Sequence, residues 1–544
     1  MIPSKLTRNP FPGLRPFERD EYRLFFGREA QTEELLARLR RAHFVAVLGA
    51  SGSGKSSLIR AGLIPALHGG MMKGAGSGWR TALIRPGSDP IGNLAAELAK
   101  TDVLSEASAG LPKHEAEAAM GAALRSGSLG FVNLVRQARL NEHEKLLLVV
   151  DQFEEVFRFR ASQKGSLDQA SAFVKLLLEA ARQRELSIYI VLTMRSDFLG
   201  DCTQFQGLPE AINDGEYLIP RMTRDQLRAA MIGPLGMSGG TMTEPLVNRL
   251  LNDVGDNPDK LPIFQHSLMR TWEYWQRHPH GNQSIGIEDY EAVGTISDAL
   301  SRHADEAFSK LQDQRSREIA EKLFKAISEW ELDNCEKGCS TRLDTICEIA
   351  SARMEEVIAV IDVFRNRGHA FLVPADGTEL LPTSDISLSH ESLIRYWQRL
   401  KAWVDEENQS VRIYRRLVEA AVLYREGKEG LMENPSLQSA LDWSEKYHLN
   451  AAWADRYHLE FEVAMTYLEQ SRIARDERIA AEEKQRTEEI AGDKRELERT
   501  KLFAAQQARA ARRMRWLIVA LWVILLLALA LLCIERIKFH YGSG

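Results

Sequence analysis

The first 200 residues alternate between short, continuously apolar runs and longer stretches in which apolar residues recur every three or four positions. The short runs are typical of strands buried on both faces, and the longer stretches are typical of amphipathic helices. Their alternation predicts a three-layer α/β domain with a parallel sheet. The predicted strands cover residues 44–48, 81–85, 146–150 and 188–193. Because 81–85 separates the first run from the third along the chain, we expect the first and third strands to be neighbours in the sheet.

From Thr223 the pattern becomes predominantly helical, and it stays so to about residue 362. Two short apolar runs, 371–374 and 386–388, then flank a glycine-containing turn and predict a β-hairpin. Helices followed by a hairpin are typical of a winged helix. We therefore predict an α/β domain at 1–222, a helical lid at 223–290, a winged-helix domain at 291–405 and a helical appendage at 406–466.

Residues 467–515 are highly charged and contain no proline, which predicts a long exposed helix. Apolar or small residues fall seven apart at 490, 497, 504 and 511, as in a coiled coil. The second seam of the repeat is polar and Gly492 interrupts it, so a weak coiled coil and a single exposed helix both remain open.

An uncharged apolar run occupies residues 516–534 and would span about 28 Å as a helix, enough for a bilayer core. The alternative is a buried core helix, but we expect too little further chain to cover it. Four arginines (509, 512, 513 and 515) precede the run, against Arg536 and Lys538 in the short tail 535–544. The positive-inside rule then predicts a single-pass protein of the cytoplasmic membrane, with residues 1–515 in the cytoplasm.

The composition narrows the possible classes of protein. A length of 544 residues predicts three or four domains, and a net charge of −6 argues against a dedicated nucleic-acid binder. Five cysteines indicate a reducing compartment, and the spacing of Cys335, Cys339 and Cys347 is not that of a usual zinc site. Residues 1–20 contain no apolar segment, so no signal peptide is expected.

One segment carries the pattern of a phosphate-binding loop, with a glycine, four free positions and Gly-Lys-Ser directly behind the first apolar run. Glycines let successive N–H groups point at phosphate oxygens. Lys55 would lie beside the outer phosphates, the Ser56 hydroxyl would bind Mg²⁺, and a helix N-terminus near Lys55 would add positive charge. A Gly/Ser-rich surface turn is the plain alternative. We predict that a nucleoside di- or triphosphate with Mg²⁺ binds at Gly49, Ala50, Ser51, Gly52, Ser53, Gly54, Lys55, Ser56 and Ser57.

Polar residues follow the third and fourth apolar runs. Asp151 ends the third run, where an acid can hold Mg²⁺ through water. Glu154 and Glu155 follow, and one of them can polarise attacking water; otherwise they only stabilise the N-terminus of a solvated helix. Arg195 follows the fourth run, where a polar side chain would lie near the γ-phosphate of ATP.

Several ordered motifs together resemble the bacterial STAND class of signalling NTPases, and within it the novel STAND NTPase 1 family. The resemblance covers roughly residues 9–450. Its markers are NPFPGLRPF (9–17), FFGRE (25–29), GASGSGKSS (49–57), RPGSDP (85–90), LLLVVDQFEE (146–155), LTMRSDFLG (192–200), LPIFQHSL (261–268) and SHESLIRYWQRL (389–400). The resemblance implies a switch that holds ADP in a closed monomer and exchanges it for ATP on stimulation, which opens the chain for self-association.

The resemblance also implies roles for single residues. It places Phe26, Gly27 and Arg28 near the adenine, Pro262 on the base and Arg195 at the γ-phosphate. It implies that Glu154 and Glu155 support hydrolysis, as in NACHT proteins. His390, which from its residue type alone is more often a structural histidine, resembles the winged-helix histidine that contacts the β-phosphate of ADP and locks the resting state. Under this resemblance the winged helix is a latch and does not read DNA.

The leading hypothesis is a membrane-anchored switch with slow ATPase activity that resets it, used in defence or stress signalling. Family members usually carry a C-terminal sensor and often an N-terminal effector, and neither is recognisable here. A separate sensor protein, an output through the membrane helix and a shortened chain all remain open. The alternative function is a non-catalytic membrane scaffold that recruits partners through 467–515. A continuously working AAA-type motor is disfavoured, because no arginine-finger motif or pore loop is recognisable.

Overall fold

The computed structural model describes residues 9–108, 111–141, 143–158, 166–255, 260–278, 284–331, 335–338, 340–366, 368–447 and 449–541. Cys339, which belongs to the cysteine group considered above, lies outside these residues, as do positions 1–8 and the last three residues of the tail. The chain divides into two compact units, Met1–Gln409 and Ser410–Gly544. The finer domain boundaries given above stay predictions.

The first unit is built on a five-stranded parallel sheet in the order β2-β3-β4-β1-β5. The strands are β1 (Phe44–Gly49), β2 (Trp79–Ile84), β3 (Lys145–Val150), β4 (Ile188–Arg195) and β5 (Glu216–Leu218). The apolar runs predicted the first four strands. The fifth was missed because it is only three residues long and its central residue alone is buried.

The expected adjacency of β1 and β3 is wrong, because β4 lies between them and pairs with both. All eight residues of β4 are buried, as suits a central strand, whereas the edge strands β2 and β5 are only partly buried. The runs of β1, β3 and β4 are equally apolar, so their sequences could not rank these three strands. The consequence for the site is that Arg195 pairs in register with Gly49, the last residue of β1.

Helices cover both faces of the sheet, which confirms the three layers. Alternate residues of β1 enter opposite cores, with Phe44, Ala46 and Leu48 on one face and Val45 and Val47 on the other. A 3₁₀ helix, Arg19–Leu24, precedes the first α-helix. A π-helical segment, Leu58–Leu63, joins α2 (Lys55–Ser57) to α3 (Ile64–His68). The helices of this part are α1 (Glu29–Ala42), α2 (Lys55–Ser57), α3 (Ile64–His68), α4 (Pro90–Leu98), α5 (Lys113–Arg125), α6 (Gly130–Ala138), α7 (Glu155–Arg158), α8 (Ser166–Arg182) and α9 (Leu208–Gly215), with short 3₁₀ turns at Ser105–Ser108, Ser196–Phe198 and Gly200–Gln204.

The rest of the first unit is mainly helical. The predicted hairpin is present as β11 and β12, paired antiparallel from Leu372 opposite Leu388, and a third strand, β10, joins β12. Two further short pairs, β6 with β7 and β8 with β9, were not predicted. The elements are α10 (Arg224–Met237), β6 (Thr241–Met242), α11 (Glu244–Val254), α12 (Leu261–Arg277), β7 (Ser284–Ile285), α13 (Ile287–Ala292), α14 (Thr295–Ser309), α15 (Gln314–Ala326), β8 (Ser328–Glu331), β9 (Cys335–Gly338), β10 (Thr341–Arg342), α16 (Leu343–Ala350), α17 (Met354–Arg365), β11 (Leu372–Val373), β12 (Asp385–Leu388) and α18 (Ser392–Tyr396).

Helix α19 (Gln398–Arg425) crosses the division between the units, and the second unit continues with α20 (Ser436–Tyr447), α21 (Ala451–Ala454) and α22 (Phe461–Tyr541). Within this unit Trp443 and Trp453 are buried around Tyr414, whose hydroxyl donates to the carbonyl of His458 at 2.7 Å. Helix α22 is continuous through the predicted charged and apolar segments and extends into the tail as far as Tyr541. It contains a stretch long and apolar enough to cross a membrane, by length and composition.

Candidate nucleotide site

The phosphate-binding loop lies at the carboxyl edge of the sheet, between the end of β1 and the start of α2. Gly52 and Gly54 have φ angles of +73° and +89°, which a residue with a Cβ rarely adopts. A Cβ on Gly52 would also lie 2.7 Å from Cγ of Pro262, and one on Gly54 would lie 3.7 Å from Cδ2 of Leu261. Both neighbours belong to the start of α12, so glycine lets this helix approach the loop closely.

Lys55 folds over the loop, and its ammonium donates to the carbonyls of Gly49 and Ala50 at 2.9 and 2.8 Å. Burial lowers the pKa of Lys55, and the carboxylates of Glu154 and Asp151 oppose this shift. The remaining residues shape the loop: Ser53 N–H donates to the carbonyl of Ala50, Ser51 is partly exposed, and the Ser57 hydroxyl accepts from the N–H of Phe17.

The carboxylate of Asp151 is held by three contacts from three elements. Its Oδ1 accepts from the hydroxyls of Ser56 and Thr193, both at 2.7 Å, and its Oδ2 accepts from Arg60 at 3.1 Å. Burial alone would raise the pKa of Asp151, but Arg85, Arg60 and the two hydroxyls outweigh it, so the pKa lies below its ordinary value. An ionised carboxylate beside a serine hydroxyl offers the oxygen ligands that Mg²⁺ prefers, so these residues fit the metal.

The two glutamates after β3 point to different places. Glu154 is buried, and its Oε2 accepts from the backbone N–H of Arg195 at 3.3 Å. Of the charged groups that shift the pKa of Lys55, the carboxylate of Glu154 has the largest effect, and it raises that pKa. Glu155 instead accepts from the N–H of Gly87 at 2.9 Å, in the loop after β2. Of the pair, Glu154 therefore lies on the side of the phosphate-binding loop.

Arg195, at the end of β4, is engaged by two carboxylates. Its NH1 donates to both oxygens of Glu391 at 2.8 and 3.0 Å, and its Nε and NH2 donate to Asp197 at 3.2 and 2.6 Å. Burial alone would lower the pKa of Arg195, but the two acids raise it above its ordinary value. Glu391 precedes α18, so this ion pair joins the strand end to the segment that follows the hairpin.

His390, next to Glu391, faces the phosphate-binding loop. Its Cε1 lies 3.6 Å from the position of a Cβ on Gly52. The N–H of Ser392 donates to Nδ1 of His390 at 3.0 Å, so in the neutral ring the proton lies on Nε2. Burial lowers the pKa of His390 to about 4, which keeps the ring neutral at pH 7. The loop is thus contacted from two sides, by Pro262 and by His390.

The FFGRE segment joins the loop to α10. The ring of Phe26 lies against Gly233, where a Cβ would come 2.4 Å from the ring, and a Cβ on Gly27 would lie 2.4 Å from the carbonyl oxygen of Gln226. Arg28 is buried and donates to the carbonyls of Pro220 and Ser53 at 2.8 and 3.3 Å. Burial lowers the pKa of Arg28 to about 10. Its guanidinium therefore supports the backbone of the loop, which the sequence had not indicated.

Three residues at the site were missed from the sequence. Thr193 could have been found, because it ends an apolar strand next to the predicted Arg195. Glu391 lies inside a quoted motif, beside His390, but nothing local shows that it pairs with a residue 196 positions away. From the sequence, Arg60 is expected on the exposed face of the helix that follows the phosphate-binding loop. Only the tertiary fold brings it to Asp151.

Comparison with solved structures returns P-loop proteins at low similarity. The Walker-type ATPase PABY2304 of Pyrococcus abyssi is 13% identical with a TM-score of 0.35, covering 71% of this chain and 98% of its own. The ORC2 protein of Aeropyrum pernix, with ADPNP and ADP, is 12% identical with a TM-score of 0.36, covering 70% and 95%. Cdc6p of Pyrobaculum aerophilum is 15% identical with a TM-score of 0.32, covering 70% and 94%. No curated protein matches the chain significantly.

Because these TM-scores all lie below 0.5, family membership rests on the sequence itself. Residues 10–430 match the Novel STAND NTPase 1 family, nSTAND1, along most of the 544-residue chain. That range includes the loop, the acids after β3, Arg195, Pro262 and His390. The chain belongs to the Novel STAND NTPase 1 family.

Proposed function

We propose that this protein is a membrane-anchored ATP-binding and ATP-hydrolysing switch, closed with ADP and open and self-associating with ATP. One observation carries the proposal. Arg195, at the strand end where a γ-phosphate would lie, is paired with both oxygens of Glu391, and the adjacent His390 contacts the phosphate-binding loop. One segment thus neutralises the arginine and closes on the loop.

The assignment of this segment to a winged helix, predicted over 291–405, is supported by helices α14 to α17 followed by the antiparallel pair β11 and β12. We assign α10 to α13 to the helical lid. The net charge of −6 favours a latch over a DNA reader, because binding to phosphates along a duplex needs a basic surface. The winged helix is then an internal partner of the nucleotide site.

The residues around the loop supply the chemistry of ATP hydrolysis. Mg²⁺, when bound, would neutralise charge that develops on the phosphates, held by the Ser56 hydroxyl and Asp151. Lys55 would transfer its ammonium from the loop carbonyls to the outer phosphate oxygens. Glu154 would orient and polarise the attacking water, since it lies beside Arg195 and acts on Lys55. Glu155 would hold the loop after β2 through Gly87.

The switch follows from competition for one guanidinium. NH1 of Arg195 can pair with Glu391 or with a γ-phosphate, and ADP has no γ-phosphate. ATP would therefore favour the arrangement in which Glu391 has left, whereas a ligand that bound both arrangements equally would shift neither. Moving a population from 1:99 to 99:1 needs about 5.5 kcal/mol of differential binding. Slow hydrolysis would return Arg195 to Glu391 and reset the switch.

The C-terminal part would connect the switch to a membrane. Residues 516–534 lie within α22, and their large apolar side chains are exposed. We propose that they cross the cytoplasmic membrane with the bulk of the chain on the cytoplasmic side, as the arginines before the run favour. Self-association would then bring several membrane helices together. Defence or stress signalling, with a separate sensor protein, is the role that family resemblance supports.

The test uses the full-length protein in detergent. We expect denaturation to release stoichiometric ADP, identified by chromatography, and the ADP-bound protein to sediment as a monomer. Exchange into ATP with Mg²⁺, using Glu154→Gln to prevent hydrolysis, should increase the sedimentation coefficient. Equal sedimentation with ADP and ATP would contradict the switch and favour a nucleotide-bound scaffold, and a protein that binds no nucleotide would contradict both.

A further inference from the structure

The N-terminal segment 9–18 lies across the two walls of the nucleotide site, and nothing in the proposed chemistry uses it. One wall is the helical segment that follows the phosphate-binding loop and contains Ser57 and Arg60. The other wall is α12, which carries Pro262. The apolar residues of the segment (Phe11, Leu14 and Phe17) are buried, with at most 8% of each exposed, so the segment is packed along its length.

At the α12 wall the segment contacts Met269. The Nδ2 of Asn9 donates to the carbonyl of Met269 at 3.0 Å, while Oδ1 of Asn9 accepts from the N–H of Phe11. Gly13 has a φ of +73°, and a Cβ on it would lie 2.6 Å from Sδ of Met269. Met269 lies seven residues after Pro262, about two helical turns along the same helix.

At the loop wall the contacts include an ion pair. The N–H of Phe17 donates to the Ser57 hydroxyl at 3.2 Å, and Glu18 pairs with Arg60 at 2.7 Å. Arg60 in turn pairs with Asp151 at 3.1 Å. The segment is therefore linked through one arginine to the acid that would hold Mg²⁺.

We propose that residues 9–18 form a strap that stays on the loop helix and releases Met269 when α12 moves away, so that it limits the rate of nucleotide release. The inference rests on the proposed function. The direction follows from the contacts: an ion pair and a hydrogen bond hold the Phe17–Glu18 end, whereas one neutral hydrogen bond and a van der Waals contact hold the Met269 end. A neutral hydrogen bond contributes less than a charged one, so the Met269 end opens first.

The decisive experiment closes that end covalently with the pair Gly13→Cys and Met269→Cys in the full-length chain. Cγ of Met269, near which a cysteine sulfur would lie, is 3.9 Å from the Cβ position of residue 13, within reach of a disulfide after a small rotation. We expect fluorescent ADP to leave the oxidised protein at least tenfold more slowly than the protein reduced with dithiothreitol. Each single cysteine variant should show no redox effect. Equal release rates before and after reduction of a disulfide proved by mass spectrometry would overturn the strap.

A second variant opens the same end without a cross-link. Asn9→Asp keeps the oxygen that accepts from Phe11 but removes the donor to Met269, so release should accelerate two- to tenfold, the effect of one hydrogen bond. The exposed Arg19→Gln changes the net charge by the same amount and should leave release unchanged. An unaltered rate in Asn9→Asp would count against the strap even if the disulfide fails to form. Failure of the proposed function would be distinct, since the wild-type protein would then either bind no ADP or sediment equally with ADP and ATP.

Discussion

Arg195 and Glu391 are 196 positions apart in sequence, yet one guanidinium nitrogen donates to both oxygens of the carboxylate at 2.8 and 3.0 Å. Their side chains are 10% and 17% exposed, so water screens the pair only in part. In the proposed switch, the carboxylate occupies the place on Arg195 that a γ-phosphate would take. The ion pair would then make the closed arrangement sensitive to the number of phosphates on the nucleotide.

Replacing this carboxylate should open the switch. Glu391→Gln removes the charge but keeps the shape, and we expect it to weaken the closed state by about 2 kcal/mol, roughly thirtyfold in population. The readouts are the ratio of ATP to ADP in the purified protein and its sedimentation coefficient, both of which should increase. Glu379→Gln, an exposed acid in the same half of the chain, is the control. Identical nucleotide content in Glu391→Gln and the control would contradict the role of the pair.

The two glutamates after β3 should differ in their effect on hydrolysis. Glu154→Gln should slow single-turnover ATP hydrolysis by about 10²- to 10³-fold, because a general base of this kind contributes on that scale. ATP binding, measured separately by fluorescence, should be preserved. Glu155→Gln should cost less than tenfold, since its carboxylate accepts from Gly87 away from the loop. Equal losses in both variants would contradict the assignment.

Acid should loosen the closed state through His390. Its pKa is about 4 in this arrangement, against about 6.5 for a free histidine, so between these values the released segment binds a proton that the closed one does not. The contribution of the neutral ring is complete above pH 6.5 and is lost as the pH falls towards 4. We expect ADP release to be about tenfold faster at pH 5.5 than at pH 7.5. His390→Gln should flatten this dependence, and a slope that survives the substitution would assign the effect to other groups.

The apolar stretch of α22 should determine whether the protein is found in the membrane fraction or in the soluble fraction. The full-length chain should sediment with membranes and resist extraction at high pH, whereas a chain ending at residue 465 should be soluble. A reporter fused after residue 544 should be accessible from the side opposite the N-terminal unit, if the arginines before the run set the orientation. Release of the full-length chain by high pH would contradict the span.

The sequence predicted local features of the site better than its connections. The structure brings the predicted loop residues 49–57 and Asp151 together, and both predictions rest on the narrow physical uses of glycine conformation, a single lysine and an acid at a strand end. The order of the strands was predicted wrongly, because apolar runs show that a strand is buried but not which strand lies beside it. Arg60 and Glu391 escaped for a related reason: a charged residue on a helix face or in a loop looks solvated until the fold supplies its partner.

The place of β4 between β1 and β3 has a mechanical consequence. Thr193 and Arg195 are two residues apart on this strand, so their side chains leave the same face about 7 Å apart. Thr193 holds the acid predicted to bind the metal, and Arg195 holds the carboxylate of the closing segment. A buried strand paired on both sides cannot stretch or rotate one position without the other. In the proposed switch, β4 would therefore hold the metal-binding acid and the closing segment at a spacing fixed by the backbone of one strand.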